Sequence, residues 1–317
     1  MSKEKVAVLM GGASLEREVS LRSGKRITDA LEALGHKVLA LDMTPELVDT
    51  LRAEAPDCCY IALHGKYGED GTVQELLEFL DIPYTGSGVV ASTLAWDKSV
   101  SKYLFRQEGI PTPAWMTLTT AAFKEMGAAT ALDLLPEQLN GFPLVVKPSE
   151  QGSALGLTRV DDAEALPEAL LSALSYGDAA MVEQWVEGTE LAVSVIGHGQ
   201  DLQVLPPVEI EPKSGLFDFD AMYTRGATDY YVPARLPEET LASVVEIARN
   251  VHDLLGCRDV SRVDLVVGAD GSPSVLECNT SPGMTEVSLL PMAANAADMS
   301  FQDVVERLIR SALDRRG

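Results

Sequence analysis

Residues able to do chemistry gather between positions 261 and 279, where Arg262, Asp264, Glu277 and Asn279 fall on two short apolar runs. The runs are separated by Ala269-Asp270-Gly271-Ser272, and an Asp-Gly step between Val- and Leu-rich segments predicts an antiparallel hairpin. Side chains alternate across a strand, so Glu277 and Asn279 share a face and Asp264 comes within reach from the partner strand. Two carboxylates and an amide oxygen form a hard, all-oxygen site, the kind Mg²⁺ takes when it also holds substrate phosphates. Taken singly, each acid would be an ordinary solvated strand residue. Arg262 lies on the face of Asp264 and could neutralise charge that builds up beside a cation. Beyond Asn279, Thr280-Ser281-Pro282-Gly283-Met284-Thr285 is a turn in which backbone can approach a ligand.

A second group lies earlier. Residues 141–148 read as a strand ending in Lys147, followed by Ser149-Glu150-Gln151-Gly152-Ser153-Ala154-Leu155-Gly156. That loop is small and flexible enough to close over phosphates, its N–H groups forming an anion nest. A buried strand rarely carries Lys without a partner, so Lys147 reads as a phosphate contact rather than an edge charge. Residues 181–190 read as a strand leaving into a short connection whose backbone suits a flat base, and Glu190 could bond ribose hydroxyls. Trp185 by itself reads as core.

The elements that must position these groups alternate strand and helix. Residues 6–10 form an apolar run ending at Gly11-Gly12, a helical pattern covers 16–34 up to Gly35, and 36–42 and 58–63 read as further strands. Such alternation is that of an open parallel sheet, whose ligands sit at the carboxyl ends of the strands. Gly11-Gly12 and His64 fall there. Glu16 could receive an ammonium group, although a helix N-terminal acid is the plainer reading of that stretch. His64 alone reads as a packed strand-end histidine. The spaced glycine fingerprint of a dinucleotide site is missing, which disfavours a nicotinamide enzyme. One helix is expected over 89–107, with a break at Ile110-Pro111-Thr112-Pro113. Further helices are expected over 237–255, 286–297 and 301–316.

Taken in order, these features resemble the ATP-grasp superfamily and, within it, the D-alanine–D-alanine ligase family. Three segments carry the likeness most specifically: Gly11-Gly12-Ala13-Ser14-Leu15-Glu16-Arg17-Glu18-Val19-Ser20, the stretch from His64-Gly65 to Gly68-Glu69-Asp70-Gly71, and Glu277-Cys278-Asn279-Thr280-Ser281-Pro282-Gly283-Met284-Thr285. The resemblance spans the whole chain and implies an α/β, three-part architecture. An open parallel-sheet domain over 1–96 would edge the D-alanine site. A small central α+β lobe with the glycine-rich flap would cover 97–186, and a larger α+β lobe with the metal site and a mobile loop 187–317.

By the same resemblance, Lys98 and Lys147 match phosphate-contacting lysines, Glu183, Gln184, Trp185 and Val186 the adenine linker, and Glu190 the ribose contact. Asp264, Glu277 and Asn279 match the ligands of Mg²⁺ or Mn²⁺, two ions, with ATP as co-substrate. Glu16, with His64 nearby, matches the acid that binds the first D-alanine's ammonium. Arg262 and the Gly283 backbone match the oxyanion groups, and Ser288 and Leu289 the positions holding the second carboxylate. Ser153 and Tyr223 match the pair that, with Glu16, links flap and mobile loop. Met222 departs from the family pattern, which commonly places a cationic residue there, and Arg225 is a candidate replacement. Gln184 and Ala154 also depart from commoner choices.

The implied activity is joining of two D-alanines through an acyl phosphate for peptidoglycan precursors, by a homodimer in the cytoplasm. A ligase taking D-lactate or D-serine second is the near alternative, although Tyr223 resembles the dipeptide-forming branch. A regulator that has lost turnover is disfavoured by Lys147, Arg262, Asp264, Glu277 and Asn279. Composition agrees: 317 residues and 46% hydrophobic content suit a globular chain, while a net charge of −23 argues against nucleic acid or an anionic membrane as partner. The four cysteines have neither metal-ligand nor disulfide-framework spacing, and the first apolar run is too short for a signal peptide or a membrane span.

Overall fold

The run from Val6 to Met10 lacks polar alternation and is buried throughout, as a strand covered on both faces must be. In the computed structural model, which describes residues 3–126 and 128–315, it is the centre of a parallel sheet. The elements run β1 (Lys5–Met10), α1 (Arg17–Leu34), β2 (Lys37–Asp42), α2 (Leu47–Glu54) and β3 (Cys58–Ile61), with sheet order β2-β1-β3. Gly35, at φ 90°, closes α1 in the left-handed conformation that glycine adopts without a Cβ penalty. After α3 (Thr72–Phe79), the single helix expected over 89–107 is instead two, α4 (Val89–Trp96) and α5 (Lys98–Gln107). Asp97 makes the break. Its backbone is extended, and its carboxylate accepts from the N–H groups of Ser99 (2.8 Å) and Val100 (3.2 Å) as an N-cap.

The middle of the chain contributes β4 (Trp115–Thr119), α6 (Thr120–Met126), α7 (Ala128–Gln138), β5 (Leu144–Pro148), β6 (Thr158–Val160), α8 (Leu166–Leu174) and β7 (Ala179–Gln184). The strands form an antiparallel sheet ordered β4-β7-β5-β6. Period-two alternation divides its faces. Leu144, Val146, Ala180 and Val182 pack with Leu135 of α7 and Leu170 of α8, while Val145, Lys147 and Glu183 face a cleft.

Next come β8 (Gly188–Ile196), β9 (Gln203–Val204), β10 (Val208–Pro212), α9 (Phe219–Tyr223), β11 (Thr228–Tyr231), α10 (Glu238–Leu254), β12 (Val260–Gly268) and β13 (Pro273–Asn279). The main sheet order is β11-β10-β8-β12-β13. The expected hairpin is present, with Arg262 opposite Asn279 and Asp264 opposite Glu277, and a register slip just past Asp264. Leu191, Val193, Leu265 and Val275 bury one face against α10; Glu190, Arg262, Asp264, Glu277 and Asn279 occupy the other.

The chain closes with α11 (Leu289–Ala296) and α12 (Phe301–Asp314). α11 starts three residues later than the sequence pattern suggests, because Ser288 is its extended N-cap. Ile309 and Leu308 of α12 share a core with Val8 of β1 and Ile27 of α1, so the first and last parts of the chain are packed as one. Asp259 fastens that union. Fully enclosed, it accepts from Gly86 N–H (2.9 Å), Ser311 Oγ (2.6 Å) and both terminal nitrogens of Arg315 (2.6 and 2.8 Å).

Removing one partner of a buried ion pair strands the other, so Asp259→Ala is expected to lower unfolding free energy by about 3 kcal/mol. Urea denaturation of the two proteins measures it; an unchanged midpoint would show that Asp259 does not hold the two parts together.

Candidate active site

The start of α1 is unusual. Glu16 occupies the N-cap position but its side chain makes no cap hydrogen bond, which sets aside the plain helix-start reading. Its carboxylate instead accepts from Ser153 Oγ on the flap, and that hydroxyl lies 2.8 Å from Tyr223 Oη on α9. Residues from three separate sheets' connections thus meet at one point. The slot is built for a carboxylate: a Cβ on Gly65 would fall 2.4 Å from Glu16 Oε2, and one on Gly152 2.9 Å from it. Ser153 and Ala154 take left-handed φ values of 52° and 51° to turn the flap over it.

Glu16 Oε2 is buried without a hydrogen-bond partner among the described residues, as expected of an acceptor awaiting a donor ligand. Burial, then the neighbouring Glu69, push the Glu16 carboxyl up to about 7 against the opposing pull of Ser153, His64 and Lys98. His64 is packed and hydrogen-bonded, its Nδ1 3.1 Å from Ser281 O and its Nε2 3.0 Å from Ser23 Oγ, yet it also lines the adjoining cavity.

That cavity, of about 690 Å³, is lined by Glu16 together with Arg262, Gly283, Ser288 and Leu289. Ser288 Oγ accepts from Thr285 N–H at 3.0 Å, and a Cβ on Gly283 would come within 2.8 Å of it, so the turn is drawn tight around small residues. Arg262 Nε and Nη2 each reach Asp264 at 2.7 Å. Burial works against the charge of Arg262, but Asp264 outweighs it and the guanidinium stays ionised.

On the sheet beside the cavity, Asp264 and Glu277 face one another across the hairpin, and Glu190 on β8 lies diagonal to Asp264. Burial, followed by Asp264 and Glu277, raises the Glu190 carboxyl to about 8. Burial also raises Asp264, whereas Lys98, Lys147 and Arg262 hold Glu277 below the ordinary range despite its burial. Lys98 Nζ lies 3.3 Å from Glu277 Oε2. Crowded carboxylates of this kind suit a divalent cation. Among the described residues no three His, Cys, Asp or Glu side chains form a metal cluster by themselves, and Asp264 and Glu277 supply two carboxylates beside the amide oxygen of Asn279. Asn279 Oδ1 accepts from Ser281 N–H at 2.9 Å and keeps a second lone pair for a ligand.

Between the two antiparallel sheets a cleft of about 1120 Å³ holds Lys147 and Glu190, with Gln184, Trp185 and Val186 on its edge. Lys98 Nζ donates to the flap carbonyl of Gln151 at 2.6 Å, and Lys147 Nζ to Glu183 Oε2 at 2.7 Å. The Glu183 side chain is thus committed to an ion pair rather than open to a base. Trp185 is not core: it is half-buried at the rim, with Nε1 donating to Glu187 (2.8 Å) and Arg159 stacked 4.6 Å over its ring.

Comparison with known proteins decides the family. The model described as D-ala D-ala ligase C-terminus matches residues 104–310, and that described as D-ala D-ala ligase N-terminus matches 47–87. The chain belongs to the D-alanine–D-alanine ligase family. It is 43% identical to the D-alanine–D-alanine ligase of Pelotomaculum thermopropionicum, over 99% of this chain and 98% of the relative, and 44% identical to that of Desulforamulus reducens, over 98% and 99%. The Bacillus anthracis enzyme complexed with ATP superposes with a TM-score of 0.82 at 32% identity, covering 99% and 98% of the two chains. The VanG D-Ala:D-Ser ligase of Enterococcus faecalis also superposes at 0.82, but at 28% identity over 98% and 99%. The chain is accordingly an ATP-dependent ligase with an ATP-grasp fold.

Within this ligase, Met222 lines the smaller cavity and packs on the core. Arg225 is exposed and lines neither cavity, contrary to its candidacy as a substitute. Sequence reasoning assigned no role to Glu69, whose signal was its place in the His64–Gly71 stretch, nor to Lys102. Lys102 lies one helical turn beyond Lys98 on the same face of α5, a spacing that could have found it.

Glu16 must be ionised to take an ammonium group, and its carboxyl titrates near 7. The Michaelis constant for the amino-acid substrate is therefore expected to fall as pH rises through that value. The raised pKa contributes stability below about pH 4.5 that is lost as pH passes 7, so affinity and this share of stability run in opposite directions. Glu69→Gln removes a like charge and is expected to move the kinetic break to lower pH; steady-state kinetics across neutrality would refute the assignment if the break stayed in place.

Proposed function

We propose that the ligase joins two D-alanine molecules into D-alanyl-D-alanine for peptidoglycan precursors, with each site residue in the role its position suits. The observation that carries this reading is the link from Glu16 through Ser153 to Tyr223 beside a cavity whose lining includes both the unpartnered carboxylate oxygen of Glu16 and Arg262. Glu16 takes the ammonium of the first D-alanine, steadied by His64. Its carboxylate then lies toward Arg262 and the cation face. Lys98 and Lys147 meet the phosphates of ATP in the larger cleft, Gln184 to Val186 the base, and Glu190 the ribose.

Asp264, Glu277 and Asn279 would hold Mg²⁺ or Mn²⁺, as one or two ions, which when bound neutralises phosphate charge and polarises the γ-phosphoryl group. The first carboxylate attacks the γ-phosphorus, the bond to the β–γ bridging oxygen breaks, and ADP departs. The resulting acyl phosphate carries a far better leaving group than a free carboxylate. Ser288, Leu289 and the N-terminus of α11 hold the second D-alanine by its carboxylate. Its amine attacks the acyl carbon, and Arg262 with Gly283 N–H meets the oxyanion until phosphate leaves. No side chain acts as a nucleophile; the work is positioning and charge neutralisation in a closed site from which water is excluded.

Family likeness supports a cytoplasmic homodimer, and no helix among the described residues is long and apolar enough to cross a membrane. The test supplies Mg²⁺-ATP with single amino acids of each hand, follows ADP release and identifies the product by mass. D-alanyl-D-alanine with stoichiometric ADP is expected. ADP formed with L-alanine but not D-alanine would overturn the proposal, and preferential product with D-serine or D-lactate would move the enzyme to a neighbouring branch.

A further inference from the structure

Lys102 stands behind the nucleotide cleft without lining it, and its side chain is fully enclosed. An ammonium removed from water is costly unless opposed, and here the opposition is specific. Its Nζ is paired with Glu183 Oε1 and bonded to Thr112 Oγ1, and it lies 5.2 Å over the ring of Trp115. Glu183 uses its other oxygen to accept from Lys147 Nζ at 2.7 Å. Thr112 in turn donates to Val275 O at 2.7 Å, and Val275 N–H donates to Pro111 O at 2.8 Å. Val275 lies two residues before Glu277 on the strand that carries the cation face, so Lys102 is fixed from both lobes of the nucleotide cleft.

One carboxylate cannot neutralise two ammonium groups. Were Lys102 absent, Glu183 and Lys147 would form a neutral pair, and Lys147 would offer the nucleotide little net charge. We propose that Lys102 is a positioning residue for ATP: by neutralising Glu183 from behind, it leaves Lys147 with positive charge that Glu183 does not match, available to the phosphates. This rests on Lys147 being a phosphate contact. In accord with it, burial lowers Lys102 to about 8 while the carboxylates hold Lys147 above its ordinary value against its own burial.

The experiment compares the full-length enzyme with Lys102→Met, Lys102→Arg, Lys102→Met/Glu183→Gln and Lys147→Met, by steady-state kinetics in ATP and in D-alanine and by calorimetric titration with Mg²⁺-ATP. Loss of one partner of a buried charge pair predicts a rise of roughly tenfold or more in the ATP constant for Lys102→Met, with the D-alanine constant nearly unchanged. Lys102→Arg is expected to restore much of the affinity. The double variant removes both charges, frees Lys147, and is expected to bind ATP more tightly than Lys102→Met. Should Lys102→Met not fold, the double variant carries the measurement, and ATP affinity as poor as that of Lys147→Met would overturn the proposal. An unchanged ATP constant in Lys102→Met, or equal weakening of both substrates with no recovery in the double variant, would also overturn it. Those results beside a weakened Lys147→Met would leave the phosphate reading standing, whereas an unaffected Lys147→Met would remove both.

Discussion

Charges enclosed in a cleft of low polarity must be matched, and this constraint organises the ligase more than any single contact. Lys98, Lys102, Lys147 and Arg262 face Glu183, Asp264 and Glu277, while burial and its acidic neighbours raise the Glu190 carboxyl to about 8. These cations gather in one cleft within a chain whose formal charge is −23. Each cation also has a carboxylate to rest against when no ligand is bound, so the site persists without collapse and exchanges partners when it fills.

The second organising feature is where the walls come from. Glu16 stands at the start of α1 after the parallel sheet, Ser153 on the flap between β5 and β6, and Tyr223 on α9 beside the large sheet. Their junction draws on all three parts of the chain. Glycines at 65 and 152 permit the approach, since any side chain would strike the Glu16 carboxylate. Packing of α12 against α1 and β3 joins the last helix to the parallel sheet in one core.

Much of this was legible in the sequence because it rests on local rules. The Asp-Gly turn between apolar runs marks the hairpin and the shared face of Arg262, Asp264 and Glu277, and the alternation of strand and helix marks the parallel sheet. What was not legible depends on partners distant in the chain. Asp97 looked like one more helical residue, although its extended backbone and two capped N–H groups split the helix. Trp185 read as core because composition cannot say that a ring will lie at a rim under Arg159. The pairing of the Glu183 carboxylate with two lysines from different elements is likewise invisible in a segment that reads as a linker offering backbone groups. Arg225 was proposed from proximity in sequence to Met222, yet it turns outward beyond the end of α9.

Arg262 and Asp264, both proposed for the reaction, hold each other through two hydrogen bonds of 2.7 Å. A crystal structure with Mg²⁺ and a non-hydrolysable ATP analogue addresses that pairing directly. The account requires a cation seated among Asp264, Glu277, Asn279 and the phosphates, with Lys147 on a phosphate oxygen. Nucleotide bound with those three side chains turned apart and no cation between them would contradict it.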